Sequence, residues 1–473
     1  MNATAEIPYN TVYSTAVRTS PVDWTVFGQL CICVFPAMAA IDFANPLLGA
    51  QYLAGSLFLN LGYHVIRRDR YRYMALLLGA EPALSLLRGA FFYDSIFFFL
   101  LLGTALWAVV AWKEVRFVWQ DATWRSVALL CLIYWLLSVA IRGSLGANIR
   151  SLEFALGAGA ICLLANRRSY LATGLIGILI SASAYAIAML PYGVRLGEGE
   201  LDNGETIGNP VLMGVPCALI VLLALTDRGR YLMMESRTTV RLILCMIAGQ
   251  WLILSGSRGS WLITIMCLLI VYRYNKPSRK TITAAIGIGI VATMIVLSTD
   301  RGSKINTVFD KTVDSDRSLN NRTSGRSSQW EALPKLFAVS PIWGWGPGNG
   351  GDVDYVYTHR HLIFHSLYEQ ILAETGLMGF IPLMTILAVT FRRALRHYGK
   401  YGELTPMVGI VGFMMIGVSV TAFDFISGVF LGLALIAREP TPRFVMRELV
   451  IREQEEEPEE IEPVQEPELK GTT

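Results

Sequence analysis

Long apolar runs separated by short polar segments recur along the chain from Trp24 to Ala437. Hydrophobic residues make up 53% of the 473 residues, which is more than the core of a water-soluble protein requires. Since a helix that crosses a bilayer needs about 20 apolar residues, the pattern predicts an all-α, polytopic integral membrane protein with about 12 to 14 transmembrane helices. The predicted spans are residues 24–41, 47–66, 74–88, 93–112, 126–141, 151–165, 170–190, 208–226, 240–256, 259–274, 281–298, 366–390, 404–420 and 422–437.

Polar segments divide this pattern into an ordered series of parts. The segment between the last two groups of helices is far longer than an ordinary connection, so we expect it to be folded or functional. Its residues Ser327 to Val339 have helical spacing, although Pro334 is expected to kink that helix. The predicted parts are a cytoplasmic N-terminal segment (1–23), transmembrane helices (24–298), a long outer loop containing helices (299–365), C-terminal transmembrane helices (366–437) and a disordered, acidic cytoplasmic tail (438–473).

The distribution of cations predicts the orientation. Lysine and arginine are concentrated in the segments that face the cytoplasm if the N-terminus does, including Arg67 to Arg72 and Arg438 to Arg452. This asymmetry satisfies the positive-inside rule, and it places the long loop on the outer side of the membrane. The net charge of +3 gives no indication of nucleic-acid binding. The short outer loops contain only Arg88, Arg142, Arg150, Arg195 and Arg258.

Candidate chemistry begins with Arg258, which lies between two apolar runs. A guanidinium at the end of membrane helices is costly unless it has an anionic partner, so Arg258 is interpreted as a functional residue. Three histidines, His359, His361 and His365, lie where the chain re-enters the membrane, where a histidine beside arginines is suited to proton transfer next to a bound anion. Zinc is disfavoured, because the chain lacks an HExxH motif and His361 is predicted in a loop.

Several short motifs occur in a fixed order between about residues 126 and 390. In this order and topology the chain resembles the bacterial superfamily of O-antigen ligases and polymerases, which also includes protein O-oligosaccharyltransferases. The motifs are Gly208-Asn-Pro210 at a helix start, Ser257-Arg258-Gly259, Arg326 before Gln329-Trp330, Pro341 with Gly344-Trp-Gly346, and His365 followed by Glu374-Thr-Gly376.

The resemblance implies a metal-independent membrane glycosyltransferase that needs no cofactor. Such enzymes take a glycan from an undecaprenyl-diphosphate donor on the periplasmic side and join it to a hydroxyl of a glycan or of the lipid A core. Negative charge builds on the diphosphate as the bond to the sugar breaks, and guanidinium groups stabilise that charge. Arg258 is the first candidate for this role. The further candidates are Arg142, Arg150 and Arg326.

His365 matches the histidine of the family and is the predicted base that takes the proton of the acceptor hydroxyl. Glu374 matches the family's glutamate, which would orient another group or satisfy buried polar partners. The family often has an arginine close to Leu201, and Arg195 would supply that charge here.

Simpler roles stay open for several of these residues. Arg142 and Arg150 would also fit as lipid-headgroup contacts, and Arg326 as a partner of Glu331 or of an aspartate of the loop. Trp343 and Trp345 fit either interfacial anchoring or stacking on a sugar.

A second functional class, a transporter or flippase of a lipid-linked glycan, would also use many helices and outer cations. The sequence shows no internal repeat, and the long loop holds the histidine cluster, so the pattern favours a transferase. A third possibility is a scaffold that assembles other envelope enzymes, but such a function would not account for Arg258 and His365.

Overall fold

A computed structural model describes residues 22–42, 46–87, 145–165, 167–188, 193–195, 198–200, 206–207, 210–226, 238–275, 326–349, 364–419 and 424–437, with isolated helical positions between 125 and 294. The described residues are mostly helical, with turns and one small sheet. The elements are α1 (Trp24–Asp42), α2 (Pro46–Ile66), α3 (Arg70–Leu87), α4 (Leu145–Leu164), α5 (Arg168–Ala188), β1 (Gly193–Arg195), β2 (Glu198–Glu200), β3 (Thr206–Ile207), α6 (Pro210–Thr226), α7 (Thr238–Leu254), α8 (Arg258–Asn275), α9 (Arg326–Val339), α10 (Leu367–Tyr401), α11 (Thr405–Ser419) and α12 (Phe425–Leu435).

The predicted helical membrane architecture is confirmed in outline. Among the described residues, three helices are long and apolar enough to cross a membrane: Trp24–Ile41, Ser169–Ala188 and Leu367–Tyr401. Shorter apolar helices, such as Thr405–Ser419 and Phe425–Leu435, accompany them. The predicted spans 93–112, 126–141 and 281–298 lie largely outside the described residues, as do the N-terminal segment and the acidic tail. The helix number and the periplasmic position of residues 299–365 therefore stay predictions.

A three-stranded antiparallel sheet is an addition to the predicted all-helical fold. Its order is β1-β2-β3, with Gly199 opposite both Gly193 and Ile207. The segment is polar and rich in glycine, so the sequence contains no alternation of apolar and polar residues that would have predicted strands. Pairing with neighbouring strands satisfies the backbone groups of this short connection between α5 and α6.

Polar contacts join the ends of α1, α3 and α5. Asp23 begins α1, because its Oδ1 accepts a hydrogen bond from the Val26 backbone N–H at 3.1 Å. Its Oδ2 pairs with Arg72 Nε of α3 at 3.1 Å, and its own backbone N–H donates to Thr173 Oγ1 of α5 at 2.8 Å. One aspartate thus caps a helix and also connects it to two others.

Glycines let helices in the core approach closely. Gly157 of α4 and Gly428 of α12 lie against the opposite backbone, at Phe425 and Phe154 respectively, so a side chain at either glycine would collide with main-chain atoms. Gly79 of α3 faces Gly177 of α5 in the same way. Small residues at crossings of this kind allow membrane helices to gain van der Waals contact, and here they fix the core that supports α11 and α12.

Candidate functional site

The turn between α7 and α8 places Arg258 at the first position of α8. Gly256 has φ of 60°, a left-handed conformation that ends α7. Ser257 then caps α8, because its hydroxyl lies 2.9 Å from Ser260 Oγ and accepts from the Ser260 backbone N–H at 3.4 Å. The serines are buried and Arg258 is half-buried. A guanidinium and the positive end of a helix therefore meet at one point, which is a favourable place for an anion.

The C-terminal end of α11 brings Arg326 close to Arg258. Gly259, next to Arg258, lies directly against the Ser419 side chain. The Ser419 carbonyl in turn accepts a hydrogen bond from Arg326 Nη2 at 2.9 Å. Because the last carbonyls of a helix lack partners within it, Ser419 is available to hold this arginine. Helices α8, α9 and α11 thus meet at a cluster of two cations.

The same end of α11 fixes the start of α10, and with it His365. Ser366 donates its hydroxyl hydrogen to the Gly417 carbonyl at 3.1 Å, and the Tyr368 hydroxyl donates to the Met414 carbonyl at 2.9 Å. The Tyr368 ring packs against Gly417. His365 precedes this anchored pair and is exposed, so its imidazole faces open space beside the cation cluster.

A break in α10 is held together by the turn that follows α9. Gly376 has φ of 58° and ψ of −157°, which interrupts the helix. The Trp345 and Gly346 backbone N–H groups donate to the Ala373 and Glu374 carbonyls at 3.0 and 2.7 Å. In return, the N–H groups of residues 377 and 378 donate to the carbonyls of residues 341 and 342 at 2.9 and 3.2 Å. We call this exchange between residues 341–346 and 373–378 the clasp.

Glycine is required on both sides of the clasp. A Cβ on Gly344 would meet the backbone of Glu374, and a Cβ on Gly376 would meet the carbonyls of Pro341 and Ile342. Both glycines also have positive φ, which favours glycine independently of space. The Gly-Trp-Gly and Glu-Thr-Gly motifs therefore have a structural role: they join the helix of Arg326 to the helix that follows His365.

Glu374 is buried within this clasp. Its Oε1 accepts a hydrogen bond from Gln370 Nε2 at 3.1 Å, and its carbonyl bonds to Gly346. These contacts satisfy buried polar groups, and a role of Glu374 in orienting another group of the site stays a prediction. Among the described residues, Glu369, one turn after His365, is the carboxylate whose charge acts on Arg326. The loop aspartates suggested as partners of Arg326 lie outside the described residues.

Electrostatics link these side chains. Burial and the nearby Arg258 guanidinium lower the pKa of Arg326, and the Glu369 carboxylate acts in the opposite direction. Arg326 keeps its charge, because the ordinary pKa of arginine is far above neutrality. Partial desolvation, and then the Arg326 charge, lower the pKa of His365. His365 is exposed and keeps much of its hydration, which limits the effect of desolvation on its pKa. The fixed positive charge of Arg326 lowers the pKa because it disfavours the protonated imidazole. Its imidazole is therefore neutral at pH 7 and able to accept a proton.

Trp330 is a further neighbour that the sequence motifs did not single out as functional. It follows Arg326 by four residues, which places both on one face of α9, and its side chain lies beside the Glu369 carboxylate. Its residue surface is nevertheless 50% exposed. The i, i+4 spacing of Arg326 with Trp330 is a sequence signal for a shared face, but only the docking of α9 on α10 shows what that face contacts.

The other predicted arginines are described less fully. Arg142 lies outside the described residues, and only the backbone is described for Arg150 in α4 and Arg195 in β1. Within the described part of the chain, no group of three or more histidine, cysteine, aspartate or glutamate side chains is arranged to hold a metal ion. His359 and His361 are not among those residues.

Together, the apolar helices and the cluster of Arg258, Arg326 and His365 indicate a membrane protein in which two arginines and a histidine lie close together. Residues 243–384 match the family model described as O-antigen ligase, and this range contains every member of that cluster. The match confirms the resemblance to the O-antigen ligase and polymerase superfamily, and it supports an O-antigen ligase-like membrane enzyme. No curated protein matches the chain.

Proposed function

We propose that the protein is a bacterial inner-membrane glycosyltransferase that moves a glycan from an undecaprenyl-diphosphate donor to an acceptor hydroxyl on the periplasmic face. The observation that carries the proposal is the convergence of Arg258, Arg326 and His365 at the end of α11. Two cations held near each other disfavour one another, and an anion bound beside them relieves that cost. A diphosphate has the charge for this position.

The proposed reaction assigns one role to each kind of group. The acceptor oxygen attacks the anomeric carbon and gives its proton to the neutral imidazole of His365. The bond between that carbon and the phosphate oxygen breaks, and undecaprenyl diphosphate leaves with the electron pair. Arg258 and Arg326 stabilise the negative charge that builds on the leaving group. The acceptor is a glycan or the lipid A core, which correspond to polymerase and ligase activity.

Deletion of the gene tests this function through the surface glycans. We expect single repeats to reach the surface without long chains if the protein is a polymerase, and carrier-bound long chains to accumulate if it is a ligase. Electrophoresis of lipopolysaccharide and mass spectrometry of carrier-linked glycans distinguish the two. Accumulation of repeat units on the cytoplasmic side would instead indicate a flippase, and an unchanged glycan profile would contradict all of these functions.

The pH dependence of transfer tests the interaction between Arg326 and His365. Activity needs neutral His365, so it falls as the pH drops through the pKa of this group, which lies below its ordinary value. Arg326→Gln removes a positive charge and raises that pKa, and the acid limb of kcat/KM then moves to higher pH. The midpoint of the limb is the readout, because the same substitution also lowers the rate.

Lys335→Gln is the matched control, because Lys335 is an exposed cation on the same helix. Its acid limb should coincide with that of the parent protein. A limb in the Arg326→Gln variant that stays in place or moves to lower pH would show that Arg326 does not act on the titrating base.

A further inference from the structure

Trp330 has an unusual combination of exposure and polar contact. Half of its surface is accessible, and its side chain lies beside the Glu369 carboxylate. The indole N–H is a donor only, so the carboxylate is the group that can accept from it. This arrangement leaves apolar ring surface open next to a carboxylate. An aromatic side chain that only anchors a protein at the membrane surface has no need of a carboxylate partner within the protein.

The position of this pair relates it to the proposed reaction. Glu369 follows His365 by four residues, and Trp330 follows Arg326 by the same interval. The pair is therefore one helical turn from the proposed base on α10 and one turn from a proposed diphosphate ligand on α9. A molecule lying on the Trp330 ring would be close to both groups.

Resting on the proposed function, we propose that Trp330 and Glu369 form a sugar-binding subsite for the acceptor, with the indole against a face of a pyranose ring and the carboxylate accepting hydrogen bonds from its hydroxyls. A pyranose presents C–H groups on its faces and hydroxyls at its edge, so an aromatic surface beside a carboxylate complements both. The negative charge of Glu369 disfavours the diphosphate of the donor. The uncharged alcohol that must reach His365 is the better occupant.

The test measures binding and transfer with purified full-length protein in lipid nanodiscs. The probes are two soluble oligosaccharides prepared from the producing cell: the released glycan repeat unit and the deacylated lipopolysaccharide core. We expect one of them to bind the parent protein in saturation-transfer NMR. Trp330→Ala should weaken that binding and raise the acceptor KM about tenfold, with the donor KM nearly unchanged. Trp330→Phe should restore most of the affinity, and Glu369→Gln should weaken binding.

Trp24→Ala is the matched control, because Trp24 is 67% exposed and lies at the start of α1, outside the candidate site. It should bind both probes as the parent does, and the melting temperatures of the variants should agree. The subsite is wrong if neither probe binds the parent, if Trp330→Ala and Trp24→Ala behave alike, or if Trp330→Ala raises the donor KM instead. Probe binding by a parent protein that transfers no glycan would refute the proposed function and leave the subsite standing. Transfer that depends on His365 but not on Trp330 would refute the subsite and leave the proposed function standing.

Discussion

Replacement of His365 by alanine should lower kcat for glycan transfer by roughly 100- to 10,000-fold, the usual contribution of a general base. The acceptor hydroxyl would then have to lose its proton to water, although its position and that of the donor are unchanged. Transfer of labelled glycan in purified membranes measures this loss. Protein level and melting temperature should stay at parental values, because His365 is exposed and the anchoring contacts come from Ser366 and Tyr368.

Added imidazole provides the internal control for this experiment. The site of His365 is open to solvent, so a free imidazole can occupy the space left by the substitution and restore part of the activity. The same concentration should not change transfer by the parent protein. Full transfer by His365→Ala without imidazole would exclude this residue as the base.

Arg258→Lys should be the second most damaging of these substitutions, with kcat reduced by about 10- to 100-fold. Lysine keeps the charge at the start of α8, but its ammonium cannot reproduce the paired contacts of a guanidinium with phosphate oxygens. Since charge on the diphosphate grows towards the transition state, kcat should fall more than the donor KM rises. Steady-state kinetics with varied donor concentration separates the two parameters.

Arg273→Lys is the control for Arg258→Lys. Arg273 lies in the last turn of the same helix, where it packs over the Tyr274 ring, so the substitution makes the same chemical change away from the site. It should leave kcat unchanged. Equal activity of Arg258→Lys and the parent would mean that a simple positive charge is sufficient at this position.

The apolar runs of the sequence predicted the ends of a helix well where the whole helix is apolar. They predicted the ends less well where a helix continues into polar residues. Predicted span 366–390 corresponds to α10, which continues to Tyr401. Arg392, Arg393 and Arg396 ended the apolar run, but arginine is a good helix former, so the helix ends only at Gly402, which has φ of 66°. For the same reason α3 begins at Arg70, four residues before the predicted span.

The break in α10 was not predicted. Pro334, where the sequence predicts a kink, lies inside α9, which runs from Arg326 to Val339. In α10 the helix is interrupted at Gly376, where hydrogen bonds to residues 341–346 replace those that the helix loses. A single glycine in an apolar run gives no sign of such a partner, because the partner is contributed by a distant part of the chain.

Much of the candidate site was accessible from sequence, because its residues belong to recognisable motifs. Arg258, Arg326 and His365 were each selected from local patterns, and the structure brings them together at α11. Trp330 and Glu369 were not selected as functional residues. Their significance depends on which faces of α9 and α10 meet, which is a tertiary property that neither helix encodes alone.

The clasp has a mechanical consequence for the enzyme. Residues 373 and 374, before the break at Gly376, and residues 377 and 378, after it, are all hydrogen-bonded to residues 341–346. These bonds brace the interrupted helix across its own break, so the angle between its two halves is set by the segment that follows α9. A change of that angle would require four hydrogen bonds to open together, and the arginine-bearing segment and the start of α10 therefore keep a fixed mutual geometry.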